Sequence, residues 1–231
     1  GPGRMSEPAA ILAAIEARLG TGRLSGRRVV LTAGPTREAI DPVRFVGNRS
    51  SGKMGFALAQ ALLAQGAEVV MVSGPVSLPT PAGVERVDVQ SALQMRDAVH
   101  DALPGTDVFI ACAAVADFRP IEAVSRKIKK SEDTMRLELV RNPDILAEVA
   151  ALEDRPFCVG FAAETHDVEA YAEAKRRSKG LDMIAANLVS AEQGFEKDDN
   201  ALLVLWDGGQ TRLPMQTKSQ LAVRLVDMIA D

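Results

Sequence analysis

Hydrophobic and polar positions alternate along most of the chain in blocks that switch between the period of a strand and that of a helix. Short Val-rich runs, such as RRVVLTA at 27–33, are typical of strands buried on both faces of a parallel sheet. Longer blocks with apolar residues three and four positions apart, such as SGKMGFALAQALLAQG at 51–66, predict amphipathic helices. This alternation predicts an α/β fold with a Rossmann-like, mainly parallel sheet and helices on both of its faces.

The same patterns place the remaining elements. We predict strands at 67–74, 83–89, 106–115, 135–140, 156–164 and 182–189, and helices at 6–20, 90–103, 142–152, 167–180 and 218–231. Pro143 would lie in the first turn of its helix. A C-terminal hairpin at 200–215 would turn at Gly208 and Gly209, and the irregular basic segment at 116–133 would form a flap. We interpret 1–24 as an expression scar plus a linker remnant, and 25–231 as one domain excised from a longer protein.

The overall composition narrows the classes of function. The chain has 231 residues, of which 47% are hydrophobic and 4% aromatic, and its net charge is −4. This composition gives no global basic field and few stacking platforms for nucleic acid. Since no apolar run is long enough for a membrane span and no secretory signal is present, we expect a cytoplasmic protein. Cys112 and Cys158 lie in apolar runs and are predicted to be buried core thiols.

The segment GNRSSGKMG at 47–55 has the G-x-x-x-x-G-K spacing of a phosphate-binding P-loop. However, Met54 stands where that motif needs Ser or Thr, and about a dozen residues separate the segment from the preceding strand. We therefore interpret it as a helix start capped by Asn48, Ser50 or Ser51. Its exposed N–H groups and helix dipole would favour an anion, although an ordinary capped helix is the alternative.

Residues that are hard to explain as core collect where predicted strands end, which is where α/β sheets bind ligands. These ends read TAGPTREAID (32–41), AVADFRP (114–120), AAET (162–165) and Asn187. Asp117 is a turn former or a ligand to ribose or metal, and Phe161 is a core residue or a base-stacking plate. In RKIKK (126–130), Lys127 and Lys129 would point the same way if extended and Lys130 would point away. Lys175 and Lys179 share a helix face that is either solvated or anion-binding.

Several of these segments together resemble one enzyme family. The segments VLTAGPTREAIDPVRFVGNRSSGKMGFALA, CAAVADFRP, KIKK, NPDIL and VGFAAET are similar to phosphopantothenoylcysteine synthetase, the synthetase half of a bacterial bifunctional enzyme of coenzyme A biosynthesis. The resemblance runs from about Arg27 to the C-terminus. It implies a ligase that joins 4'-phosphopantothenate to L-cysteine through an acyl-cytidylate, using CTP. It also implies a homodimer, Mg²⁺ with the nucleotide, and a linked decarboxylase half that carries FMN, with no flavin in this domain.

The resemblance also assigns residues. It implies a role for Asn48 in the acyl-cytidylate step and for Lys127 at the triphosphate. The implied nucleotide contacts are Asp117, Lys127, Pro143, Asp144, Ile145, Leu146, Phe161, Lys175 and Lys179. We add Gly34, Ser50, Ser51, Gly52, Ala113 and Ala114 as a neighbourhood that, together with Asn48, binds substrate or phosphate. Two positions depart from the pattern of the family: Leu188 stands where many relatives have Asp, and Arg49 stands where some relatives have His.

Two other functional classes remain as alternatives. The first is an NAD(P)-dependent Rossmann-type oxidoreductase, although no G-x-G-x-x-G follows the first strand and no acidic residue ends the second. The second is a nucleotide-binding module without catalytic activity. A zinc site is not expected, because neither His100 nor His166 has a Cys or His partner at metal-ligand spacing.

Overall fold

A computed structural model describes residues 22–129, 134–164, 166–188 and 198–231. The helix predicted at 6–20 and the predicted orientation of Lys130 therefore lie outside the described residues. The described part confirms the Rossmann-like α/β fold, because it is built around one eight-stranded, mainly parallel sheet with helices on both faces.

The strands of the central sheet are β1 (Arg28–Ala33), β4 (Glu68–Ser73), β5 (Glu85–Asp88), β6 (Val108–Ala111), β9 (Phe157–Glu164), β10 (Met183–Leu188), β11 (Asp199–Trp206) and β12 (Gly209–Thr217). Across the sheet they lie in the order β12-β11-β10-β9-β6-β1-β4-β5. All neighbouring pairs from β5 to β10 are parallel, whereas β11 and β12 add an antiparallel hairpin. The carboxyl ends of the parallel strands consequently meet at one edge of the sheet.

In the described part of the chain, five helices cover the sheet, and their apolar faces form two separate cores. The helices are α1 (Lys53–Ala64), α2 (Ala92–Ala102), α3 (Ile145–Ala150), α4 (Val168–Ser178) and α5 (Lys218–Ala230). On one face, α1 and α5 bury side chains such as Leu58 and Leu225 against the sheet. On the other face, α2, α3 and α4 contribute side chains such as Met95, Val149 and Ala172. Among the described residues, no helix has both the length and the apolar composition needed to cross a membrane.

Two small antiparallel ribbons lie outside the central sheet, and the sequence pattern did not predict them. One pairs β2 (Arg37–Ala39) with β3 (Phe45–Gly47), and the other pairs β7 (Phe118–Pro120) with β8 (Leu139–Arg141). The strand predicted at 135–140 was wrong in extent, because residues 135–138 belong to no strand.

Two further details correct the sequence-based expectations. Pro143 does not lie in the first turn of α3, because Asp144 is the N-cap and accepts a hydrogen bond from the Ala147 N–H. The hairpin turns at Asp207 and Gly208, since Gly209 already pairs with Trp206. Gly208 has φ +78°, a conformation that favours glycine in a two-residue hairpin turn.

Candidate active site

The loops at the carboxyl ends of the parallel strands surround a groove made of two adjoining cavities. The first cavity has a volume of about 560 Å³ and is lined by residues 48–55, 112–115, Asp117, 161–163, Lys175, Asn187, Asn200 and Lys218. The second cavity has a volume of about 540 Å³ and is lined mainly by residues 115–118, 141–146, Phe161, Lys175 and Lys179. Asp117, Phe161 and Lys175 line both cavities and so form part of a shared wall.

The structure brings most of the candidate residues to this groove. Those expected to bind substrate or phosphate line the first cavity, namely Asn48, Ser50, Ser51, Gly52, Ala113 and Ala114. Those expected to bind the nucleotide line the second cavity, namely Asp117, Pro143, Asp144, Ile145, Leu146, Phe161, Lys175 and Lys179. Lys127 and Gly34 are not among the lining residues of either cavity.

The start of α1 differs from the predicted cap. Its N-cap is Gly52, with φ 76°, so none of Asn48, Ser50 and Ser51 is the N-cap residue, although Ser51 Oγ accepts a hydrogen bond from the Lys53 N–H, the first of the helix, at 3.5 Å. Ser50 Oγ accepts a hydrogen bond from the Gly52 N–H at 3.2 Å. Glycine is needed here for φ and for space, because a Cβ on Gly52 would lie 2.9 Å from Cγ1 of Val76 and 3.6 Å from Cα of Gly34. Gly34 therefore lies next to Gly52 and packs against this loop.

The side chain of Asn48 joins two loops of the groove. Its Nδ2 donates a hydrogen bond to the carbonyl oxygen of Val115 at 2.9 Å, which connects the segment before α1 to the loop after β6. An amide nitrogen has two N–H groups, so this contact uses one of them. The side chain is exposed and lines the first cavity, where it can offer its second N–H to a ligand.

The loop after β6 is held by two buried polar side chains that the sequence analysis missed. Thr36 Oγ1 accepts from the Ala116 N–H at 2.9 Å, and Asn142 Nδ2 donates to the Ala116 carbonyl oxygen at 2.8 Å. The Asn142 N–H also donates to the carbonyl oxygen of Asp117 at 2.8 Å. Because buried polar groups need such partners, these bonds fix the backbone that carries Asp117. The sequence indicated these contacts only weakly, since Asn142 simply precedes the proline of NPDIL.

Lys175 of α4 and Lys179, the C-cap residue of that helix, both line the second cavity. Lys175 Nζ donates to the carbonyl oxygen of Phe161 at 3.3 Å, and Lys179 Nζ lies 2.6 Å from Asp144 Oδ2. Burial, followed by repulsion from Lys179, lowers the pKa of Lys175. Burial alone would raise the pKa of Asp144, but the hydrogen bonds from Lys179 and the Ala147 N–H outweigh it and lower that pKa. The arrangement favours a bound anion, which would stabilise both ammonium groups.

The basic flap is anchored by an ion pair in the neighbouring loop. The Asp41 carboxylate accepts hydrogen bonds from Arg44 at 2.5 Å and from the Ile128 N–H at 3.1 Å, while Arg44 donates to the Ile128 carbonyl oxygen at 2.9 Å. The Arg44 guanidinium holds the pKa of Asp41 far below its usual range. Lys127, next to this anchor, is exposed to solvent.

The first cavity also has cationic residues that the sequence analysis did not assign to it. Arg49, Lys53 and Lys218 line it together with Lys175, whereas Asp117 is the carboxylate among its lining residues. The sequence did not indicate that Lys53 and Lys218 share a cavity, because the two residues are 165 positions apart.

Cys158 is buried as predicted, but Cys112 is half-buried and lines the first cavity. Burial raises the pKa of Cys112 to about 12, so this thiol is protonated near neutral pH. Within the described ranges, no three His, Cys, Asp or Glu side chains come together in a group that could hold a metal ion.

Fold and groove together define a Rossmann-like domain with a cationic binding site at the carboxyl ends of its parallel strands. The chain belongs to the family of the DNA/pantothenate metabolism flavoprotein C-terminal domain, whose sequence model matches residues 24–231.

Individual relatives agree with this assignment. The chain is 57% identical over 233 residues to the coenzyme A biosynthesis bifunctional protein CoaBC of Vibrio cholerae serotype O1, covering 99% of this chain and 58% of that relative. It also superimposes on a crystal structure of the C-terminal domain of CoaBC with a TM-score of 0.78 and 41% identity, covering 91% of this chain and 97% of that one.

A more distant structure supports the fold alone. A Cab2 H337A mutant in complex with phosphopantothenate-cysteine aligns with a TM-score of 0.70 and 17% identity, covering 96% of this chain and 92% of the other.

Proposed function

We propose that this domain is a ligase that joins 4'-phosphopantothenate to L-cysteine at the expense of CTP, giving phosphopantothenoylcysteine, CMP and pyrophosphate. The observation that carries the proposal is the pair of adjoining cavities that share Asp117, Phe161 and Lys175. Membership of the family and the high identity to CoaBC over nearly the whole chain support it. The chain spans 58% of that relative's length, so the proposal concerns this domain's half of the chemistry.

The two cavities suit two substrates that must meet at one reacting pair of atoms. In this proposal 4'-phosphopantothenate occupies the first cavity, with its carboxylate near Asn48, and CTP occupies the second, beside Lys175 and Lys179. Across the shared wall, the carboxylate would then lie next to the α-phosphate of CTP. Holding two reactants in a reactive geometry is itself a large contribution to rate.

The reaction would proceed in two displacements. A carboxylate oxygen forms a bond to the α-phosphorus, the α–β anhydride bond breaks, and pyrophosphate leaves. The cysteine amine then forms a C–N bond at the activated carbonyl carbon, the C–O bond to the phosphate breaks, CMP leaves, and the amine loses a proton to solvent. Splitting a difficult acyl transfer through an activated intermediate lowers each barrier.

Individual side chains would have separate tasks. The second N–H of Asn48 would donate to the substrate carboxylate and orient it. Lys175 and Lys179 would neutralise phosphate oxygens, and Phe161 would pack against the nucleotide. Lys127 would contact the triphosphate only if the flap segment moves over the groove, since it is exposed and lines neither cavity.

Magnesium fits this site as a companion of the nucleotide. Mg²⁺ is commonly held by one or two carboxylates together with substrate phosphates, and it would supply charge neutralisation at the triphosphate. Asp117 lines both cavities and is the carboxylate best placed to take part.

A homodimer and a linked decarboxylase half that carries FMN complete the proposal. The ribbon of β7 and β8 exposes several large apolar side chains, namely Phe118, Leu139 and Val140, with Ile121 beside it. Clustered exposed apolar residues mark interaction surfaces, so we assign this ribbon to the subunit interface. The proposal also includes a cytoplasmic location, where thiols such as those of Cys112 and Cys158 stay reduced.

A reaction without cysteine tests the proposed activity. Incubation of the domain with 4'-phosphopantothenate, CTP and Mg²⁺ should accumulate a bound acyl-cytidylate that mass spectrometry detects, with pyrophosphate released in equal amount. ATP in place of CTP is the matched control for the base. Absence of both products would sink the proposal, and tight binding of CTP without them would favour a non-catalytic nucleotide module. Binding of NAD(P)H, followed by its fluorescence, would instead favour the oxidoreductase.

A further inference from the structure

Two helices begin side by side at one end of the first cavity, and the first residue of each is a lysine. Lys53 starts α1 and Lys218 starts α5, and both line the cavity. The helices run in the same direction, because Gln65 Nε2, just after α1, donates to Asp227 Oδ1 near the end of α5 at 2.9 Å. Two positive ends of helix dipoles therefore converge where these lysines lie.

The position of Lys218 disfavours an ammonium group in three ways. The residue is only 7% exposed. It lies at a helix start, where the dipole favours negative charge. Lys53 is close enough to repel it, and burial followed by this repulsion lowers the pKa of Lys218. An anion in the cavity would offset all three effects.

Asp198 interacts with both lysines, and its carboxylate pairs directly with Lys53. Asp198 Oδ1 lies 2.6 Å from Lys53 Nζ, and the Asp198 side chain is 81% exposed, so this ion pair is well screened by water. Asp198 contacts Lys218 through its backbone, where its carbonyl oxygen accepts the Lys218 N–H at 2.9 Å. Among the residues that the structure describes, Asp198 is thus an exposed carboxylate beside both lysines at this end of the cavity.

We propose that Lys218, assisted by Lys53, binds a substrate phosphate group at this end of the first cavity. The inference rests on the proposed function, in which both CTP and 4'-phosphopantothenate carry phosphate. The shared ligand chemistry is a phosphate oxygen anion, which suits ammonium groups and helix N-termini. Lys218 is thereby a phosphate-binding residue about 90 positions beyond the basic flap.

Steady-state kinetics of Lys218→Met and Lys218→Arg test this role. We expect Lys218→Met to raise the KM of one phosphorylated substrate about 10- to 100-fold, the range that the loss of a charged hydrogen bond produces. The KM of cysteine should stay the same, and Lys218→Arg should recover most of the loss. A rise in the KM of CTP assigns the subsite to the nucleotide phosphates, and a rise in that of 4'-phosphopantothenate assigns it to the 4'-phosphate. The matched control is Arg224→Met, an exposed cation of the same helix.

Direct binding separates this inference from the proposed function. Calorimetry with inorganic pyrophosphate and with inorganic phosphate should give binding to the unaltered protein that Lys218→Met weakens at least tenfold. If the protein binds pyrophosphate through Lys218 but makes no phosphopantothenoylcysteine, the subsite stands and the proposed function fails. If the ligase is active and a folded Lys218→Met variant keeps both KM values and its anion affinity, the subsite is wrong. Absence of binding of either anion would also overturn it. Should Lys218→Met not fold, Lys218→Gln is measured in the same way.

Discussion

The amide of Asn48 donates a hydrogen bond to the carbonyl oxygen of Val115, 2.9 Å away, and so holds together the two loops that carry most of the first cavity. The contact orients the amide before any substrate is bound. It also leaves one N–H for the reacting carboxylate, since Oδ1 is an acceptor. Asn48 therefore has a structural task and a proposed catalytic task, which different substitutions should separate.

Asn48→Asp should abolish accumulation of the acyl-cytidylate while the domain stays folded. The new carboxylate has no N–H to donate, and it would repel both the Val115 carbonyl oxygen and the carboxylate of the substrate. Mass spectrometry of the reaction without cysteine measures the intermediate, and circular dichroism measures the fold. Asn48→Gln, which keeps the amide, is the control and should retain part of the activity. An Asp variant that forms the intermediate at the unaltered rate would refute this role.

Lys175→Met should raise the KM of CTP about 10- to 100-fold, because it removes a charged donor from the second cavity. Since burial and Lys179 lower the pKa of Lys175, its ammonium form is lost at a lower pH than that of an ordinary lysine. CTP affinity should accordingly start to fall at a lower pH than the ordinary pKa would dictate, and this part of the pH profile should vanish in Lys175→Met. Arg177→Met, at an exposed position of the same helix, is the control. Equal KM values in Lys175→Met and the unaltered domain would contradict the assignment.

Asp41→Asn should release the anchor of the flap. The substitution removes the negative charge that binds Arg44 and receives the Ile128 N–H. Because the folded pKa of Asp41 is lowered, the carboxylate stabilises the fold above its ordinary pKa, and this contribution is lost as the pH falls. We therefore expect a lower Tm at neutral pH and a smaller fall of Tm on acidification.

Limited proteolysis reports on the flap itself. Trypsin should cleave after Arg126, Lys127 or Lys129 faster in Asp41→Asn than in the unaltered domain, because Ile128 loses its partner on Asp41. Asp97→Asn serves as the control, since Asp97 is exposed and pairs only with the neighbouring Arg96 among the ion pairs of the described chain. Equal cleavage rates in the two variants would show that the ion pair does not hold the flap.

Leu139→Glu should convert a dimer to monomers, because it places a charge on the apolar ribbon that we assign to the subunit interface. Leu139 is 41% exposed on β8. Sedimentation velocity measures the change in mass. Met215→Glu, at a position that is 49% exposed on β12, is the control and should leave the mass unchanged. A monomer before substitution, or a dimer that tolerates Leu139→Glu, would exclude this interface.

The sequence predicted most of the central sheet because buried parallel strands and amphipathic helices leave strong local patterns. RRVVLTA and PFCVGFAAE, for example, match β1 and β9 within a residue or so. The two ribbons were missed because their strands have three residues each, too few for a period to emerge. The helix start at Gly52 was missed because the polar residues before it looked like caps, whereas the left-handed φ of Gly52 depends on its packing against Val76.

The site was predictable where it follows strand ends and unpredictable where it depends on helix packing. Asp117 was identified because it follows the end of a buried run, and the topology of a parallel sheet brings such ends together, whereas Phe161 lies within β9 and was identified through the resemblance to the enzyme family. Lys218 gave no such signal, because it faces Lys53 only through the pairing of α1 with α5. The thiol of Cys112 shows the opposite case: its apolar run predicted a core position, yet β6 ends just before it and leaves it at the cavity.

The division of the groove into two cavities also bears on how such an enzyme could change the nucleotide that it uses. Residues 141–146 and Lys179 line one cavity alone, while the start of α1 and Lys218 line only the other. Replacements confined to the former could retune the choice between pyrimidine and purine without disturbing the acid that is being activated. Natural selection or inhibitor design could therefore act separately on the residues that line one cavity alone.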